Sequence, residues 1–212
     1  SDVYKRQASA YRVAVTDRTA VGYTLAMTAI TGALFGFINS SQQIFADVFH
    51  AEAAFPAVFA LIAGGIAVAS IVNARLVVKL GSRKISHTAL IGFTSIAAIH
   101  AGVAISGHES IWTFAVLQTL TMFCFGLIAG NFGSMAMETM GKIAGTAASI
   151  QGFISTIVGS LLGFAVGQQF NGTTIPMSVG FTVFGLIALG WVLFAERGRL
   201  FRAHHAPVAA KA

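Results

Sequence analysis

Residues 55–84 read FPAVFALIAGGIAVASIVNARLVVKLGSRK: twenty residues without a charge, then four cations within ten positions. A hydrocarbon core about 30 Å thick is crossed by about twenty helical residues at 1.5 Å each, so the apolar run can span a bilayer. The basic stretch that follows marks one membrane face. Five further runs share this character: Ala20 to Ser40, His87 to Ser106, Ile111 to Phe132, Ile143 to Gly167 and Met177 to Ala195. None contains Lys, Arg, Asp or Glu. The expected organisation is an all-α membrane protein with spans at 20–40, 55–73, 87–106, 111–132, 143–167 and 177–195. A cytoplasmic linker at 8–19 precedes them and a cytoplasmic basic tail at 196–212 follows.

The charges orient the six spans. Cations stand before the first (Lys5, Arg6, Arg12, Arg18), after the second (Arg75, Lys79, Arg83, Lys84), after the fourth (Lys142) and in the tail (Arg197, Arg199, Arg202, Lys211). The three opposite loops carry only Asp47, Glu52 and Glu109. Random placement of thirteen cations would leave those loops empty roughly 2% of the time, so the asymmetry reads as a topology signal with both termini cytoplasmic. Residues 2–7 back-translate to a string resembling the transposon end used in sequencing libraries, and residues 1–7 are expected to be an adapter artefact. Removing Lys5 and Arg6 leaves the asymmetry intact.

Composition excludes several classes. With 56% hydrophobic residues, 9% charged and a mean hydropathy of +0.79, the chain lacks the polar surface of a soluble domain. A net charge of +6 suggests nucleic acid at first sight. The cations flank apolar spans instead of clustering on a folded module, so they read as contacts for anionic lipid headgroups and no nucleic-acid partner is expected. Cys124 has no second cysteine to pair with. No nucleophile, base and metal constellation is visible, so neither an enzyme nor a metal or cofactor site is expected.

Three patterns within the spans carry functional expectations. Thr24, Thr28, Thr31, Phe35, Asn39 and Gln42 recur at three- and four-residue intervals on one face of the first span. Amides facing lipid would go unpaired, so this stripe is expected to face protein or water, as a substrate-cavity wall or as interhelical bonding. Gln118 and Thr121 of the fourth span join the same expectation. In the fifth span Gly145, Gly152, Gly159, Gly163 and Gly167 fall within an arc of about 80°, a close-approach face between two halves of a transporter or a static packing seam. His100 is the readily titratable residue well inside a span. It is a possible proton site, weighed against a core histidine because no acid lies within any span. Glu138 and Lys142 stand four apart, as a helical ion pair would.

Six spans with both ends inside, a basic loop after the second and a glycine-striped fifth together resemble the C-terminal half of a major facilitator superfamily transporter. The loop from Ala74 to Lys84 is similar to the superfamily signature at Lys79, Gly81 and Arg83 and departs from it at Ala74 and Val78, where the signature has Gly and Asp. Asn131 to Glu138 and Ile143 to Phe153 resemble the corresponding stretch of bacterial Bcr/CflA drug-resistance transporters, as do Phe37 to Phe49 and Gly167 to Thr174. The resemblance implies two three-helix inverted repeats. It also implies proton-coupled efflux of amphiphilic small molecules across the bacterial inner membrane by alternating access. The first and fourth spans would line the cavity, and the second and fifth would meet a missing N-terminal six-helix half that carries the coupling acids. Without it the chain would be inactive. The alternative is a complete six-span carrier or membrane scaffold that homodimerises through the fifth span.

Overall fold

The structure is a computed structural model that describes residue 9 and residues 11–202; residues 1–7, Pro207 and Lys211 lie outside the described residues. Six long helices follow one another: α1 (Arg18–Gln43), α2 (Phe55–Leu80), α3 (Ser82–Ile105), α4 (Ile111–Ala136), α5 (Ala144–Gln168) and α6 (Ile175–Ala195). All six are long and apolar enough to cross a membrane, and the chain is a multi-pass membrane protein.

Local chemistry sets the helix ends. Asp17 caps α1 by accepting from the Ala20 amide at 2.8 Å, and Ser110 caps α4 by accepting from the Thr113 amide. Pro56 and Pro176 stand in the first turns of α2 and α6, where a missing N–H costs no helical bond. Gly81 ends α2 and starts α3 at φ 78°, a backbone angle that disfavours a side chain. Most helices extend a few residues past the expected apolar runs, because polar termini continue the hydrogen-bond ladder into the interface.

Two local features departed from expectation. Helix α1 continues beyond Gln43 as a π-helical turn, Ile44–Val48, that closes on His50 at φ 48°. Such a turn holds one extra residue and leaves no compositional mark. The linker before α1 is helical over 11–16 and packs Ala14 against Ala20, Met140 and Ala147 at the end of the bundle where α1 begins and α6 ends, labelled the inner end, the opposite one being the outer end.

The packing has an internal symmetry. Helix α1 packs on α5 and α6 as α4 packs on α2 and α3; α1 also meets α4, and α3 meets α6. Exchanging α1 with α4, α2 with α5 and α3 with α6 leaves this pattern unchanged. Sequential neighbours within each triplet touch little, so every helix finds its main partners in the other triplet. Because a triplet has an odd number of passes, the second copy is inverted in the membrane, which is the expected pair of inverted repeats. The shared core runs through Tyr23, Ile30, Phe45, Leu90, Phe93, Phe114, Met122, Ile128, Phe132 and Phe181.

The glycine stripe divides. A Cβ at Gly163 would lie 2.4 Å from Phe35 Cβ and 2.6 Å from the Gly36 amide nitrogen. Gly159 abuts Thr31, and Gly167 abuts Asn39. These three glycines are used in the α1–α5 seam of this bundle, which corrects the expectation that they face another half. Gly145 and Gly152 meet nothing within 4 Å and remain open.

Candidate functional site

Three polar clusters lie at the inner end, at the outer end and in a groove between them. The inner one is built from four helices. The Arg83 guanidinium donates through Nε to Glu196 Oε1 at 2.8 Å and through both terminal nitrogens to the Glu138 carboxylate at 3.2 and 2.6 Å. Its side chain is 12% exposed, and that of Glu196 is 0%. Tyr23 of α1 donates its hydroxyl proton to the same Glu196 oxygen. His87 Nε2 lies 2.8 Å from the Tyr23 oxygen, while His87 Nδ1 accepts from the Phe201 amide at 3.1 Å. Since Nδ1 accepts, Nε2 carries the ring proton and donates to Tyr23, so every donor in the chain from Phe201 to Glu196 has an acceptor.

This cluster corrects one expectation. Glu138 pairs with Arg83 and not with Lys142, because α4 has ended at Ala136 and the following turns break the helical spacing. The signature-like loop does engage acids through Arg83, although position 78 is Val; the acids come from the ends of α4 and α6 instead. Gly81 supplies the turn and Lys79 stays exposed. Sequence spacing gave no access to Glu196, which stands one residue past the sixth apolar run.

At the outer end His100 Nε2 lies 2.5 Å from Glu109 Oε1, and the other carboxylate oxygen accepts from the Thr174 hydroxyl. Both side chains are buried, with the imidazole edge-on to Phe114. The acid absent from every span reaches His100 from the short turn between α3 and α4. Glu109→Ala is expected to lower stability by about 1.5–3 kcal/mol, the usual worth of hydrogen bonds to a charged group. Thermal melts of the purified protein check this, and an unchanged melt would show that the three groups do not act together.

Between these ends a groove of about 360 Å³ opens between α1, α4 and α5. Of the eight residues expected to form a cavity wall, Thr31 and Phe35 line it. Thr28 lies just inside, donating to the Thr24 carbonyl and meeting Ser155 Oγ at 3.3 Å. Thr24 is buried toward the inner end, and Asn39 and Gln42 are exposed at the outer end, because the stripe outruns the groove along α1. Gln118 and Thr121 are fully buried in the core, and α4 presents Phe125 and Ala129 to the groove in their place. Asn131 is committed to Asn73 of α2 at 2.6 Å.

The groove's polar wall comes instead from α5, through Gln151 and Ser155. Gln151 Nε2 and Thr31 Oγ1 have no hydrogen-bond partner among the described residues, with their residues 9% and 8% exposed. Their four-residue spacing places Gln151 and Ser155 on one helix face. That signal was present in the sequence beside the more conspicuous glycines.

The chain is a six-helix membrane bundle of paired inverted repeats, with a polar groove between two charge clusters, and this fold is consistent with half of a two-body transporter. No family profile and no solved structure matches the chain. It is similar to a Bacillus subtilis (strain 168) protein described as "Uncharacterized MFS-type transporter YdgK", 25% identical over 182 residues. The alignment covers 84% of this chain and 44% of the relative, so the chain spans about half the length of the curated relative it matches. That similarity supports a place in the major facilitator superfamily.

Proposed function

We propose that the chain is the C-terminal half of a proton-coupled efflux antiporter of the bacterial inner membrane, with both ends cytoplasmic. One observation carries the reading: α2 and α5, related by the internal exchange, are the least buried of the six helices. A second six-helix body seated on that pair would cover both and turn the open α1–α4–α5 groove into a closed central cavity. Substrate there meets the apolar Met27, Phe35 and Phe125 together with the uncharged donors Thr31 and Gln151, which suits amphiphilic molecules. The His100–Glu109 pair is the proton-handling candidate of this half.

A second reading keeps the chain as a six-span carrier or scaffold that pairs with its own copy, favoured by the open faces of Gly145 and Gly152. Accumulation of a fluorescent amphiphile in everted vesicles separates the two. Under the first reading the chain transports only when joined to or co-expressed with an upstream six-span body. Gln151→Leu then slows transport about five- to tenfold, the worth of one hydrogen bond. His100→Gln uncouples transport from the proton gradient. Transport by the chain alone, lost on Gly152→Leu, supports the second reading and overturns the first.

A further inference from the structure

We propose that the lateral groove between α2, α3 and α4 binds an anionic phospholipid, with its phosphate at Lys84 and Thr88 and an acyl chain laid toward Gly92 and Cys124. Lys84, Thr88 and Gly92 follow one another at four-residue intervals along α3, so they run down one helix face over about 12 Å. The face therefore passes from a cation, through a hydroxyl, to a gap. A Cβ at Gly92 would meet only the Cys124 sulfur, at 3.3 Å, so the missing side chain leaves the trough open down to the thiol. Leu76 and Leu80 of α2 form the opposite wall of this space of about 480 Å³.

The headgroup preference follows from charge. Lys84 is the charged residue lining the groove, and no acid lines it to receive the ammonium of a zwitterionic lipid. Arg83 next to it is committed to Glu138 and Glu196, whereas Lys84 has no ion pair and Thr88 no side-chain hydrogen bond among the described residues. A phosphate satisfies both while the chain below it covers apolar wall that water would otherwise wet. The inference depends on membrane embedding alone and stands whatever the bundle transports.

Native mass spectrometry of the full-length protein, extracted from nanodiscs holding equal parts phosphatidylglycerol and phosphatidylethanolamine, tests it. One phosphatidylglycerol is expected to stay bound in preference to phosphatidylethanolamine. Lys84→Ala is expected to reduce that retention about fivefold, Lys84→Arg to keep it, and Lys79→Ala, outside the groove, to leave it unchanged. Gly92→Leu is expected to reduce retention of both lipids by filling the trough. Equal retention of the two lipids by the unmodified protein would overturn the proposal. So would equal losses in the Lys84 and Lys79 variants, which would indicate a diffuse surface attraction. Displacement of the bound lipid by millimolar glycerol phosphate would overturn it too, because a site that holds a chain is not emptied by a headgroup alone.

Discussion

Gly163→Ala is expected to destabilise the bundle more than any other single methyl added to the fifth helix. The new Cβ would meet Phe35 Cβ at 2.4 Å, the Gly36 nitrogen at 2.6 Å and the Phe35 carbonyl carbon at 2.7 Å. Two of these atoms are backbone, so no rotamer change relieves the clash and α1 must move away from α5 along the whole seam. Overpacking costs typically 1–3 kcal/mol where side chains can yield, which places this site at about 3 kcal/mol or above. For a chain of this length that corresponds to a melting temperature lower by about 6–12 °C. The internal exchange names a counterpart in the α2–α4 seam: a Cβ at Gly126 would lie 2.7 Å from Ala69 Cβ and 2.8 Å from the Ile66 carbonyl oxygen. Gly126→Ala should therefore fall by a similar amount. Gly152→Ala, with open space around it, should leave the melt unchanged. Equal small effects at all three positions would show that the two seams do not close as described.

The spans were legible because their signal is additive: a long run of mostly apolar residues without a charge outweighs any local ambiguity, as residues 55–73 show. The inverted repeat was reachable through resemblance alone, since nothing in the spacing of α1 announces that its main partner is α5. What the sequence hid was pairing at a distance. Glu109 and Glu196 lie outside the apolar runs, one in a loop and one just past the last run, yet short turns fold both back onto His100 and Arg83. Polar stripes were similarly ambiguous, because a helix that touches three neighbours shows each a different arc. Thr31 reaches the groove, Thr28 bonds within the seam and Asn39 is exposed, although all three share one periodicity. Gln151 and Ser155 are obscured in the sequence for the same reason, since glycine spacing and a polar wall coexist on α5.

Arg83→Met is the second substitution expected to have a large effect, because it removes the guanidinium that bonds the fully buried Glu196 at 2.8 Å. Removing one partner of a buried pair costs about 3–5 kcal/mol, since the remaining charge keeps its desolvation penalty. The Glu138 half of the pairing adds little to this, as that carboxylate is partly exposed and water can replace the guanidinium. Arg83→Lys should recover only part of the loss. A single ammonium cannot bond Glu196 through one edge and clasp Glu138 through another. Tyr23→Phe removes one hydrogen bond to the same carboxylate and should cost about 1.5–3 kcal/mol. Arg83→Met combined with Glu196→Gln should be more stable than Arg83→Met alone, and additive losses in that cycle would refute the coupling. Among the described residues the cluster draws on one bundle: Tyr23 from α1, Arg83 and His87 from α3, Glu138 after α4 and Glu196 after α6. The cluster therefore ties the inner ends of four helices into one body. If two such bodies rock against each other, these bonds need not break in the cycle, and Arg83→Met should lower the amount of folded protein while leaving transport per folded molecule near that of the parent. A loss of transport in protein that remains folded would instead place the cluster among the parts that move.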